Sequence, residues 1–148
     1  MIMTVTKAQA KDLEQIVPLF DQYRVFYKQK SDLKSARKFL QERFKNGDSQ
    51  ILVASLDGEL IGFTQLYFTF SSVSLKQSLI LNDLYVHPQY RGKGVGVLLL
   101  ESAQQYCITN DYKGLALETA VDNPAQKLYE KLGWKKDSQC FHYFWSPQ

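Results

Sequence analysis

Apolar and polar positions change period several times along these 148 residues. Ile2 to Thr6 alternates and predicts a short first strand. From Lys11 the spacing turns helical: Leu13, Ile16, Val17, Phe20, Tyr23 and Arg24, then Phe26 and Tyr27, recur at three- and four-residue steps. A second helix follows with Leu33, Ala36, Phe39, Leu40, Arg43 and Phe44. Ser31 is its expected N-cap, and Asn46-Gly47 is a stop signal. Gln50 to Leu56 reads as a strand, and Asp57-Gly58 as a tight turn into a second strand from Leu60 to Phe70. The polar stretch Ser71 to Ser74 separates these from a strand over Leu79 to His87, which Pro88 stops.

Gly94 to Asn110 is an apolar helix, Leu115 to Thr119 a short buried strand, and Pro124 to Leu132 a helix with proline in its first turn and Gly133 after its end. Phe141 to Trp145 suits a final strand. The order β-α-α-β-β-β-α-β-α-β predicts an α/β chain, with a mixed central sheet flanked by helices on both faces. With no repeat, linker or low-complexity tract, residues 1–148 read as a single domain.

Composition narrows the function classes. A net charge of +3 without a basic stripe does not point to nucleic acid. No apolar run reaches the length of a membrane span, and Met1 to Ala10 is too polar for a signal peptide. Cys107 and Cys140 match no metal, redox or disulfide spacing, so no metal is expected and both read as packed thiols in a reducing cytoplasm. Aromatic residues are 14% of the chain, which suits heavy core packing or an aromatic-lined cleft.

The most informative segment follows the fourth strand. Arg91-Gly92-Lys93-Gly94-Val95-Gly96 places glycines at alternate positions at the entrance to a helix. Such glycines allow close backbone approach and leave N–H groups aimed outward, and the helix end adds its own unpaired N–H groups. Arg91 and Lys93 add positive charge, so the segment reads as a pyrophosphate cradle. It is not a dinucleotide fingerprint, which needs a third glycine three residues beyond Gly96. Nor is it a P-loop, because Gly92-Lys93 is followed by glycine where Ser or Thr is required.

Arg91-x-x-Gly94-x-Gly96 resembles the acetyl-CoA pyrophosphate motif of the GNAT superfamily of N-acetyltransferases. Leu84-Tyr85-Val86 with Pro88 resembles that family's fourth strand. Asn123-Pro124-Ala125, Leu128-Tyr129-Glu130 and Leu132-Gly133-Trp134 resemble its second motif. The resemblance covers almost the whole chain, most closely Leu79 to Trp134, and within the superfamily it is nearest the small histone/polyamine acetyltransferase-like group.

The resemblance implies a GNAT fold whose fourth and fifth strands splay apart to admit the pantetheine arm of acetyl-CoA. The N–H groups of Leu84, Tyr85 and Val86 would bind that arm and polarise the thioester carbonyl. Those of Arg91, Gly92, Lys93, Gly94, Val95 and Gly96 would hold the pyrophosphate. Asn123 would contact the cosubstrate near its reactive end, and Tyr129 would protonate the departing thiolate. The acceptor is a primary amine, on a polyamine, a lysine side chain or an aminoglycoside, attacking directly in a ternary complex.

The base is open at this stage. The family often has a carboxylate where Asn82 stands, and an amide cannot take a proton. Asp83 is adjacent, but strand alternation turns it to the other face unless a bulge intervenes. Glu118 is another candidate, and a water held by Asn82 a third route. His87 reads as a surface residue and Cys107 as core, Tyr23 and Tyr27 stay open between core and acceptor groove, and Phe26 reads as core. The aromatic segment Phe141 to Trp145 is either a buried edge strand or a homodimer contact. A catalytically idle acetyl-CoA-binding sensor or interaction module is the rival function; it would keep the cradle but need no Tyr129.

Overall fold

The computed structural model describes residues 2–147. It divides between Glu118 and Thr119 into two compact units. The first holds β1 (Met3–Lys7), α1 (Leu13–Phe26), α2 (Leu33–Asn46), β2 (Ser49–Leu56), β3 (Glu59–Ser71), β4 (Lys76–Val86), α3 (Val95–Thr109) and β5 (Leu115–Ala116). The second holds α4 (Gln126–Lys131).

The strands form one five-stranded sheet in chain order, antiparallel from β1 to β4 and parallel between β4 and β5. Asp57 and Gly58 link β2 to β3 with φ of 52° and 80°. Two positive φ values make a turn whose twist matches that of the strands it joins.

Helices cover both faces of this sheet. On one face Ile16, Val17 and Phe20 of α1 and Ala36 and Leu40 of α2 bury Ile51, Val53, Phe63 and Tyr85. On the other, Val95 and Leu99 of α3 pack with Ala54 and Ile61, flanked by Met3, Val5, Leu84 and Val86. At Gly62 a Cβ would stand 2.9 Å from the Tyr85 carbonyl oxygen and 3.3 Å from Val95 Cγ1. Only a residue without a side chain lets β3, β4 and α3 approach so closely.

Two expectations from sequence change. The N-cap of α2 is Asp32, not Ser31: its Oδ1 accepts from the Ser35 amide at 3.0 Å. The Ser31 hydroxyl instead donates to Oδ2 of buried Asp21 at 2.6 Å, and Asp21 Oδ1 accepts from the Asp32 amide at 2.8 Å. A buried carboxylate needs such partners, and it ties the α1–α2 turn down. The final strand does not form: residues 141–145 have no regular secondary structure, and Phe141, Tyr143, Phe144 and Trp145 are exposed. Alternation of aromatic residues is not enough without a neighbouring strand to pair with.

In the second unit α4 is short, and its end is closed by Gly133 at φ 93°. Gly133 N–H donates to the Glu130 carbonyl at 3.1 Å and Trp134 N–H to that of Tyr129 at 3.0 Å. This is a Schellman ending, which needs a residue that tolerates the left-handed conformation.

Candidate active site

The glycine turn is built as its sequence predicts. Gly92 and Gly94 have φ of 76° and 85°, and Gly94 is the N-cap of α3 with no side-chain cap. The first bond of the helix is Leu98 N–H to the Gly94 carbonyl, at 3.1 Å. The N–H groups of Val95, Gly96 and Val97 precede it and have no intrahelical acceptor. A Cβ at Gly92 or Gly94 would meet nothing within 4 Å, so the strain of positive φ, not crowding, requires glycine there. Arg91 is positioned beside this turn: its Nε donates to the Val86 carbonyl at 2.9 Å and its guanidinium lies 5.2 Å from the Tyr85 ring centre. Lys93 stands 5.6 Å from the ring centre of Tyr90. The arrangement suits a diphosphate, with main-chain donors at its centre and two cations beside it.

The strand leading into the turn is paired on one edge only for much of its length. β5 pairs with β4 at Leu79↔Leu115 and Ile80↔Ala116 and nowhere further along. On its other edge β4 stays in register with β3 to Gly62↔Val86. Among the described residues, no strand pairs with the outer edge of β4 from Leu81 to Val86. An extended chain such as pantetheine can pair there as an added strand.

A cleft of about 410 Å³ opens on the α1–α2 side of the same strand. Phe20, Tyr23 and Arg24 of α1, Ser35, Ala36 and Phe39 of α2, Tyr67 of β3, and Asn82 and Asp83 of β4 line it. The pairing of β3 with β4 explains why both Asn82 and Asp83 do so. Gln65 pairs with Asp83 but Leu66 with Leu81, which leaves Asn82 as an extra, bulged residue. The bulge overturns simple alternation, and Asp83 faces the cleft with Asn82 beside it.

Asp83 is 1% exposed. Its Oδ2 accepts from Gln65 Nε2 at 2.6 Å and its Oδ1 from Asn82 Nδ2 at 2.7 Å. Gln65 is held in turn, since Ser49 Oγ donates to its Oε1 at 2.9 Å. The Tyr23 hydroxyl donates to the Asn82 carbonyl at 3.1 Å, and Thr64 Oγ1 to the Asp83 carbonyl at 2.7 Å. Side chains thus satisfy carbonyls around the bulge.

Burial pushes the Asp83 carboxyl above the ordinary range, against the opposing pull of hydrogen bonds from Asn82, Gln65 and Tyr23. Burial and then the nearby Asp83 charge push the Tyr67 hydroxyl up to about 12 and raise that of Tyr23 as well. Both phenols stay neutral near pH 7, and Asp83 is the one carboxyl group among the residues that line the cleft.

Other candidates fall elsewhere. Glu118 is exposed beyond the end of β5 and does not line the cleft. In the second unit, Asn123 Nδ2 donates to Thr119 Oγ1 and its Oδ1 accepts from the Ala125 amide, both at 2.9 Å. Asn123 therefore shapes its own turn, with one amide hydrogen remaining. Tyr129 is half-buried on α4, its ring 5.9 Å from that of Trp134. Among the described residues no cluster of three or more His, Cys, Asp or Glu side chains could hold a metal ion.

Sequence reasoning missed Gln65, Ser49 and Arg24. A signal for Gln65 was present: Thr64-Gln65 is a polar pair inside the apolar run Leu60 to Phe70. Both residues are fully buried, and buried polar groups need partners. Ser49 and Arg24 carry no such mark, because Ser49 reaches Gln65 only through strand pairing and Arg24 reaches the cleft only through helix packing.

Comparison with known proteins agrees with the geometry. The chain matches the acetyltransferase (GNAT) family over residues 13–134. It is 49% identical over 142 residues to the uncharacterized N-acetyltransferase YhfO of Bacillus subtilis, covering 95% of each chain. A crystal structure of a probable acetyltransferase superposes with a TM-score of 0.92 at 38% identity, covering 98% of both chains. The structure of AAC(6')-Iy in complex with the bisubstrate analog CoA-S-monomethyl-acetylneamine shares the fold, with a TM-score of 0.81 at 19% identity, covering 99% of this chain and 100% of that one. A match of this extent, with such a relative along nearly its whole length, shows the family: the chain belongs to the acetyltransferase (GNAT) family and is an acetyl-CoA-dependent N-acetyltransferase.

Proposed function

We propose that the chain acetylates a primary amine bound in the α1–α2–β4 cleft, by direct attack on the thioester of acetyl-CoA in a ternary complex. The observation that carries this reading is Asp83, a buried carboxylate at the cleft, on the strand whose other residues form the free edge. The N–H groups from Arg91 to Gly96 hold the diphosphate, and the β4 edge at Leu84, Tyr85 and Val86 orients the arm. As the C–N bond forms and the C–S bond breaks, Asp83 takes the proton that the amine loses. Its raised proton affinity suits it to that exchange, since an unperturbed carboxylate lies about 6 units below an amine of pKa near 10.4. Asn82 and Gln65 hold the carboxylate in place, in agreement with a role for Asn82 other than base. Glu118 drops out of the base assignment.

Tyr129 and Asn123 enter this reading through the family motif alone. Tyr129 delivers a proton to the departing thiolate, and Asn123 steadies the cosubstrate near its reactive end. Tyr129→Phe should lower kcat about 10-fold or more, with acetyl-CoA affinity retained. Unchanged turnover would remove Tyr129 from the mechanism.

The reading extends to the whole chain. The family match crosses the boundary between the two units, which supports treating residues 1–148 as one acetyltransferase domain. Two free cysteines support a cytoplasmic enzyme, and no helix of the described residues is long and apolar enough to cross a membrane. The exposed aromatic side chains from Phe141 to Trp145 offer a homodimer contact.

The decisive experiment has two parts. Melting temperature should rise with acetyl-CoA or CoA but not with NADH or ATP, because a ligand that binds the native state stabilises it. Thiol release from acetyl-CoA should then require an added amine. Binding without amine-dependent release would mark a sensor instead of an enzyme.

A further inference from the structure

We propose that the acceptor is a small primary amine that also carries an anionic group, its amine at Asp83 and its anion at Arg24. The inference rests on the acetyl-transfer reading and names the class of amine within it.

The cleft carries one acid and one cation with no ion-pair partner. Asp83 is the sole carboxylate lining it, and Arg24 the sole cation. Arg24 makes no ion pair with an acid among the described residues. The nearest competitor is Asp32, whose carboxyl Arg24 helps to hold below the usual range, after the larger effect of hydrogen bonds from Ser35. Asp32 caps α2 through Oδ1 and forms no ion pair with Arg24.

The other cation near the cleft is already committed. Arg43 lies 4.5 Å from the ring centre of Phe39, and its Nε is 3.0 Å from Asp48 Oδ1. Arg24 is the cation left to meet a ligand. The lining also includes the aromatic side chains Phe20, Tyr23, Phe39 and Tyr67.

A polyamine or aminoglycoside suits this cleft poorly. With one ammonium at Asp83, further ammonium groups would meet Arg24 and no second carboxylate, and like charges repel most where water is excluded. A molecule with an amine and an anion satisfies both ends. The volume of about 410 Å³ is near the lower end of small-molecule sites, which fits a small acceptor. A carboxylate and a phosphate share the needed chemistry, and Arg binds either through paired N–H donors.

The test uses matched acceptors at saturating acetyl-CoA, with thiol release as the readout. Lysine against cadaverine and tyrosine against tyramine probe the carboxylate; phosphoethanolamine against ethanolamine probes the phosphate. In at least one arm the anionic member should have a kcat/KM ten-fold or more above its partner, and the arm that responds identifies the anion. Arg24→Gln should lower that ratio ten-fold or more, equivalent to about 1.4 kcal/mol, mostly through KM. Arg24→Lys should restore part of it. Equal or better use of the bare amines in every pair overturns the inference and leaves acetyl transfer intact. So does a ratio unchanged in Arg24→Gln. Failure to acetylate any amine, despite bound acetyl-CoA, removes the enzymatic reading and this inference with it.

Discussion

Asp83→Asn should lower kcat by about 10²–10⁴-fold while acetyl-CoA still raises the melting temperature, because an amide keeps the shape of the side chain but cannot accept a proton. The same replacement should alter how stability depends on pH. Burial raises the folded-state proton affinity of Asp83 above the ordinary value of 3.8. Between that value and the folded one, the native protein holds the proton more firmly than the unfolded chain does. Its stabilising contribution is therefore complete below pH 3.8 and is lost as pH rises through the folded value. Asp83→Asn removes this decline.

Urea midpoints from pH 4 to 8 for both proteins check the sign. The slope is the readout, not the absolute midpoint, since the new amide would place an NH₂ opposite Gln65 Nε2 or Asn82 Nδ2. Leaving such a group without an acceptor costs about 1–3 kcal/mol at any pH. Parallel pH curves would show that Asp83 is not a buried carboxylate of raised affinity. Retention of more than about one-tenth of kcat would pass the proton to water instead of Asp83.

The second large effect is on the scaffold under the cleft. Phe63→Ala should cost about 3–5 kcal/mol, as large aromatic truncations in packed cores do. Phe63 is 0% exposed and sits between Val53 and Tyr85 across the sheet. Its ring centre lies 6.2 Å from that of Phe20 and 6.0 Å from that of Tyr23, both edge-on. At about 2–4 °C per kcal/mol for a chain of this size, the melting temperature should fall by roughly 10 °C.

Phe20 and Tyr23 also line the cleft, so the KM for the amine should rise before global unfolding does. Phe70→Ala is the control: Phe70 lies on the same strand but is 72% exposed, and its loss should cost about 0.5 kcal/mol or less. Equal losses for the two variants would contradict a close-packed α1–α2 face.

Cys107 and Cys140 illustrate how far local reading goes. Both read as packed thiols, yet only Cys107 is buried and Cys140 is exposed, a difference that spacing cannot contain. Phe26 fails in the same way. Its helical period places it in the core, whereas it is 63% exposed at the end of α1.

Features that depend on a few neighbouring residues are readable from the chain alone. Asp57-Gly58, Asn46-Gly47, Gly92, Gly94 and Gly133 mark turns and helix ends because a positive φ is decided within a few bonds. Hydrophobic period placed α1, α2 and α3 because each buries one stripe. The glycine turn before α3 is local for the same reason, since its outward N–H groups belong to consecutive residues. The surroundings of Asp83 come instead from long-range pairing and packing. Asp83 reaches the cleft through the bulge at Asn82, and a bulge is a mismatch between two strands that neither contains alone. Its raised proton affinity comes from α1, α2 and β3 closing over it and removing water, a property of the assembled neighbourhood and not of any segment.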